Sequence, residues 1–259
     1  MRLEEFELGK KGGKKHLKRK PAPKSWPIHR KEFVWAPRPI PGPHPISNCI
    51  PLTLIVRDIL GLAKTRKETK IVISQGKLKV DGKIRQEDRF PAGLMDVISI
   101  PETKGTYRIL PSEKGLVLHP IEADEADFKL CRIENKTVVK GGHVQLNLHD
   151  GTNLLLRTKE PQNLGEDAYE TLGTLKIRIP DREILGYIKL VEGAYALITG
   201  GKNAGRHGKI VAVEKKSEQK RRDLLVTIED KNKVQFQVTL DYILVVGGTK
   251  PEISLPEVE

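Results

Sequence analysis

The sequence predicts an α+β, multidomain chain: a basic extended N-terminal tail, a small helix–helix–hairpin module, a central β domain and a small C-terminal barrel. Three observations predict it. Helical apolar spacing and helix caps are confined to residues 50–76. Short strand signals at regular spacing fill most of the chain after that point. The first 45 residues combine basic charge with proline and carry no apolar period. The expected divisions are residues 1–45, 46–105, 106–190 and 191–248, with a loose acidic tail at 249–259.

Residues 1–45 hold twelve Lys or Arg against four acids, which is +8 of the formal +12 of all 259 residues. The densest run ends in Lys14-Lys15-His16-Leu17-Lys18-Arg19-Lys20, and eight of the seventeen prolines precede residue 46. Such a segment is expected to be disordered alone and to become ordered on a polyanion. Trp26 and Trp35, the two tryptophans of the chain, both lie here. A solvated linker has no use for them, because a Trp contributes only when something covers it.

Pro51 opens a helical pattern with Leu52, Ile55, Val56 and Ile59 on one face, and Gly61 stops it. Thr65-Arg66-Lys67-Glu68 is a capping box for a second helix, with Ile71 and Val72 apolar and Gly76 as its stop. Asp81-Gly82 between Leu78–Val80 and Lys83–Arg85 predicts a hairpin with a type I′ turn. Lys64, Arg66, Lys67, Lys70, Lys77, Lys79, Lys83 and Arg85 crowd this segment. Cations on the first helical turn disfavour the helix, so an anionic partner is the reason expected for Arg66 and Lys67.

From residue 101, strands are expected at Tyr107–Leu110, Leu116–His119, Phe128–Ile133, His143–Leu148, Asn153–Arg157, Leu175–Ile179 and Gly186–Leu190. Turns are expected at Ser112–Gly115, Asn135-Lys136, Gly141-Gly142 and Asp150-Gly151, with a loop over Gln162–Tyr169. Residues 106–185 carry a net charge of −2, a poor phosphate surface. Five further strands fall at Ala194–Thr199, Gly208–Lys215, Leu224–Glu229, Val234–Thr239 and Tyr242–Val246.

Several chemistries are excluded. Cys49 and Cys131 lie far apart and form no disulfide framework, which points to a reducing compartment. The histidines show no metal-ligand spacing, so neither a metal nor a cofactor is expected. His149-Asp150 sits at a turn, and Glu122, Asp124, Glu125 and Asp127 read as a solvated loop. No apolar run is long enough for a membrane span, and no signal peptide is seen, so a cytosolic chain is expected. A triphosphate cradle fails because Gly208-Lys209 is followed by Ile210, and Asn203 occupies the place of the first Gly.

Two segments resemble known modules. Residues 51–100, with Leu62-Ala63-Lys64-Thr65-Arg66-Lys67-Glu68, Ile73, Gly76, Lys77–Lys83, Gly93 and Asp96, look like the S-four-type RNA-binding module. Residues 195–210, Tyr-Ala-Leu-Ile-Thr-Gly-Gly-Lys-Asn-Ala-Gly-Arg-His-Gly-Lys-Ile, look like a KOW motif, which implies an SH3-like barrel. The order of parts, with Trp35-Ala36-Pro37-Arg38-Pro39 and Gly42-Pro43-His44 ahead of them, resembles the small-subunit ribosomal protein S-four-e family over nearly the whole chain.

The resemblance implies a non-enzymatic constituent of the cytoplasmic small ribosomal subunit. Its partners would be small-subunit rRNA and neighbouring ribosomal proteins, with no membrane, small-molecule substrate or homo-oligomer. The expected RNA-binding residues are Lys14, Lys15, Lys18, Arg19, Lys20, Trp26, Trp35 and Arg38, the eight cations of the module, and Lys202, Asn203, Arg206 and His207. Rival readings are an RNA-modifying enzyme of the pseudouridine synthase type and a KOW transcription elongation factor. The first needs a larger α/β domain than residues 101–190 supply, and the second has no need of residues 1–100.

Overall fold

Residues 16–45 are folded onto the body of the protein, against the expectation of a disordered tail. The computed structural model describes residues 16–103, 105–157, 169–214 and 224–256. Within them β1 (Leu17–Lys18) pairs antiparallel with β2 (Trp35–Ala36). The loop between them is closed by the Arg30 guanidinium, which donates to the carbonyls of Lys20, Ala22 and Pro23 at 3.0, 2.9 and 2.8 Å. Trp26 is 3% exposed and its indole N–H donates to the Cys49 carbonyl at 2.5 Å. Ala22, Trp26 and Ala36 share a core with Ile50, Leu52, Ile98 and Ile109. The segment lacks an apolar period because three small or aromatic anchors, rather than a stripe, attach it.

Glycines of the body make room for it. A Cβ on Gly115 would meet the Ser25 backbone, and one on Gly93 would enter the His44 ring.

β3 (Cys49–Pro51) pairs with β6 (Pro91–Gly93) and leads into α1 (Leu52–Leu54). The expected single helix is split, since Ile55–Ile59 follows in wider π-type turns and the Leu60 N–H reaches back to the Ile55 carbonyl. Leu52, Leu54, Ile55 and Val56 are all buried, more than one helical stripe can cover. α2 (Arg66–Ser74) carries the full capping box: Thr65 Oγ1 accepts from the Glu68 N–H, and the Glu68 carboxylate accepts from the Thr65 N–H, both at 3.3 Å. β4 (Lys79–Val80) and β5 (Lys83–Ile84) flank Asp81 and Gly82, whose φ of 50° and 71° fit the type I′ turn.

β7 (Val97–Ile100), β8 (Gly105–Ser112) and β9 (Gly115–Pro120) complete a sheet in the order β5-β4-β7-β8-β9. Strand pairing therefore runs through the division expected at residue 105. After α3 (Ala123–Ala126), β10 (Phe128–Val139) is one long strand, so Asn135-Lys136 is no turn. β10 pairs with β13 (Thr174–Arg178) from Phe128 to Arg132 and with β11 (His143–Leu148) from Ile133 to Val139, the latter with a register shift between Ile133 and Asn135. The strand thus bridges two half-sheets, which no turn residue in it could announce. β12 (Asn153–Leu156) and β14 (Ile184–Ile188) close the order β12-β11-β10-β13-β14.

β15 (Tyr195–Ile198), β16 (His207–Val213), β17 (Leu225–Glu229), β18 (Gln235–Thr239) and β19 (Ile243–Gly247) form the last sheet, in the order β18-β17-β16-β15-β19. Met95, Leu110, Leu130, Leu197, Leu244 and Ile253 form a core shared by the three five-stranded sheets. The C-terminal segment, expected to be loose, is anchored through residue 254. Ile253 is buried, and Ser254 donates its N–H and Oγ to the Glu125 carboxylate at 2.9 Å. Among the described residues the helices are few and short, so the fold is mostly β rather than α+β.

Candidate nucleic-acid interface

The capping box sets the chemistry of the module's surface. Glu68 is tied to the start of α2, where the Lys64 and Thr65 amides lower its carboxyl below the usual range. Lys64, Lys67 and Lys70 stand exposed at this end of the helix, and none has an ion pair among the described residues. Lys67 and Lys70 are three apart and so share one side of α2. Lys83 is exposed on β5.

Other expected contacts are partly engaged within the chain. Arg66 reaches the buried Asp88 carboxylate at 3.2 Å, and Lys77 pairs with Glu102 at 2.9 Å. Lys79 is half-buried, and Arg85 lies over the Phe90 ring at 4.4 Å. Arg66, Lys77 and Arg85 thus have structural partners, so these three cations hold the module together as well as charging it.

In the N-terminal segment Lys14 and Lys15 lie outside the described residues. Lys18 and Lys20 are exposed, Arg38 is half-buried and Trp35 is 57% exposed. Two expected contacts are corrected. Arg19 is buried, donating to the His29 carbonyl at 2.5 Å and to Glu32 at 3.1 Å. Trp26 is a core anchor. Their side chains serve the fold of the segment and offer no surface to a partner.

The glycine loop before β16 is also partly internal. Lys202 is exposed, Asn203 half-buried. Arg206 lies over Phe236 at 4.9 Å and 3.8 Å from Glu113. His207, an expected contact, is buried edge-on to Tyr195 at 5.8 Å and is corrected to a packing residue. Burial lowers its imidazole pKa. Gly205 has φ of 86°, and a Cβ there would stand 2.7 Å from Ser112 Cα. The loop is therefore seated on the turn between β8 and β9 with its Lys202 side outward.

One ionic cluster was not foreseen. Lys129 Nζ meets Asp96 at 2.5 Å, Asp81 at 2.9 Å and Asp150 at 3.1 Å, and His44 Nε2 lies 3.0 Å from Asp96. Burial pushes the Lys129 ammonium down, but Asp96 and Asp81 outweigh it and raise its pKa well above normal. Burial likewise works against the Asp96 charge, yet Lys129 and His44 hold that carboxyl below its ordinary value. The cluster joins the N-terminal segment, the module hairpin, β10 and the turn after β11. Lys129, set between the apolar Phe128 and Leu130-Cys131, was the available signal. Asp81 and Asp150 were legible only as turn residues.

The comparisons agree with this architecture. Residues 103–184 match the model of ribosomal family S4e, and residues 11–47 match the RS4NT domain. The small ribosomal subunit protein eS4 of Staphylothermus marinus is 54% identical over 251 residues, covering 96% of this chain and 99% of that protein. The chain belongs to the eS4 family. It is a family of structural ribosomal proteins, not of enzymes. Its members in Aeropyrum pernix and Methanocaldococcus jannaschii are 51% and 46% identical, each over 96% of this chain. The crystal structure of the 30S ribosomal protein S4e from Thermoplasma acidophilum matches with a TM-score of 0.64 at 28% identity, covering 78% of this chain and 96% of that one. The eS4 fold is mostly β, with several antiparallel sheets including a half-barrel.

Proposed function

We propose that this eS4 protein binds small-subunit rRNA through lysines displayed on a pre-folded body. As a family member it is a structural constituent of the small ribosomal subunit, in the cytoplasm. The observation that carries the reading is the set Lys64, Lys67, Lys70 and Lys83, exposed on the module and without ion pairs among the described residues. A cation without an internal partner is free to displace counterions from phosphate, and each such contact steepens the salt dependence of binding. Lys18, Lys20, Trp35 and Arg38 extend the surface onto the N-terminal segment. Arg66, Lys77 and Arg85 combine such a role with their contacts inside the module.

The last sheet is an SH3-like barrel of KOW type in this reading. Its outward Lys202 and the adjoining Asn203 touch RNA or a neighbouring small-subunit protein, and the chain acts as a single copy. The test is binding of the full chain to a small-subunit rRNA transcript across a salt series. A steep salt slope that falls on removing Lys67 and Lys70 supports the reading. Absence of binding at low salt refutes it.

A further inference from the structure

The ribbon of β1 and β2 bears an exposed aromatic surface that the fold does not use. Phe33, Val34 and Trp35 are 60%, 64% and 57% exposed, three large apolar residues in succession. Exposed singly such residues need no explanation, but a contiguous set marks a contact surface. Trp35 and Phe33 are also held in place. Trp35 pairs with Lys18 across the ribbon, and the His16 ring tilts against it at 5.6 Å. The Arg19 guanidinium lies 5.0 Å from the Phe33 ring centre, and Arg19 is itself fixed by the His29 carbonyl and Glu32. The ribbon is fastened to the core by Trp26 and Ala36.

The surroundings select the partner. Lys18 stands in register with Trp35, and Lys20 and Lys31 are exposed in the loop that the ribbon closes. Glu32, the acid of that loop, is taken by Arg19. An apolar partner surface would gain nothing from this ring of cations. A nucleobase stacks on an aromatic face while its phosphate lies beside a cation, which matches both features.

We propose that Trp35 and Phe33 form a stacking platform for unpaired nucleotides of RNA, with Lys18 holding the adjoining phosphate. The proposal rests on the rRNA-binding reading above and names the part of the RNA that this surface takes. Paired bases present no free face, so a duplex is not a ligand of the platform.

The full chain tests it by Trp fluorescence and affinity. The probes are oligouridylate, an RNA duplex of equal length and a small-subunit rRNA transcript. Trp26 is buried and hydrogen-bonded, so the emission that RNA changes belongs to Trp35. Oligouridylate should quench that emission and the duplex should not. Trp35→Leu should weaken oligouridylate binding about ten-fold, as loss of one stacked base does, while Trp35→Tyr should retain most of it. Unchanged oligouridylate affinity in Trp35→Leu, with the transcript still bound, would overturn the platform and leave the rRNA reading standing. Normal RNA affinity combined with poor incorporation of Trp35→Leu into small subunits would make the ribbon a protein contact, and would also overturn it. Failure of the wild-type chain to bind the transcript would remove both readings.

Discussion

His44 Nε2 lies 3.0 Å from Asp96 Oδ2, and Gly93 beneath the imidazole is the residue that lets it enter. This contact fastens the end of the N-terminal segment to the ionic cluster around Lys129. Gly93→Ala should expel the ring, because a Cβ there would overlap it. The expected loss is about 1–3 kcal/mol of stability, as for other overpacked sites. Denaturant unfolding measures it. Protease cleavage within residues 16–45 should rise in the variant, and unchanged cleavage would show that His44 is not a fastener.

Trp26 anchors the other end of the segment. Trp26→Ala should cost about 3–5 kcal/mol, the range for removing a large buried aromatic. Trp26→Phe keeps most of the apolar contact and leaves the Cys49 carbonyl without its donor, so it should cost about 1–3 kcal/mol. Thermal unfolding of the two variants separates packing from hydrogen bonding. An equal loss in both would assign the whole effect to the hydrogen bond.

Acid should weaken the protein in two stages. Burial, reinforced by the Lys129 charge, pushes the His149 imidazole down to about 4. Its ordinary value is 6.5, so between those values the unfolded chain binds a proton that the folded chain refuses. Stability therefore falls as pH drops from 6.5 towards 4. Asp150 is opposed by burial but held by Lys129 at about 2, against 3.8. Its contribution is present above 3.8 and is lost as pH falls towards 2. A stability–pH profile should show both losses, and His149→Asn should flatten the first by up to about 1.4 kcal/mol per pH unit. A profile that is flat from 6.5 to 4 in the wild type would contradict the desolvation of the half-buried His149.

The two kinds of cation on α2 should separate. Lys67→Ala and Lys70→Ala should each lower the salt slope of RNA binding by about 0.7–0.9 and leave stability unchanged. Arg66→Ala should cost stability as well, about 1–3 kcal/mol, because the buried Asp88 carboxylate loses a charged partner and keeps only the Thr53 hydroxyl and its own surroundings. Denaturant unfolding alongside the salt series distinguishes them. Equal stability of all three variants would show that the Arg66–Asp88 pair contributes nothing.

Local chemistry was the legible part of the fold. Thr65 and Glu68 announced α2, and Asp81-Gly82 announced its hairpin, because capping and turn geometry depend on adjacent residues. The five strands of the last sheet were legible for the same reason. What failed was long-range. Burial of Trp26 depends on Cys49 and on the surfaces of Ile50 and Ile109, and no local pattern records that. Asn135-Lys136 resembles a turn, yet pairing with β11 carries the strand through it. Arg19 and Lys18 are neighbours of one residue type class, but one is buried and the other exposed. Charge density marks the basic segments without resolving which of their cations face out.

The most direct test of the account is photo-crosslinking of the full chain to small-subunit rRNA, with the crosslinked amino acids mapped by mass spectrometry. The account predicts crosslinks at Trp35, Lys67, Lys70 and Lys83, and none at Trp26, Arg19 or His207, whose side chains are buried. Crosslinks at Trp26 and Arg19, with none at the exposed lysines of the module, would contradict it, because they require the N-terminal segment to leave the body when RNA binds.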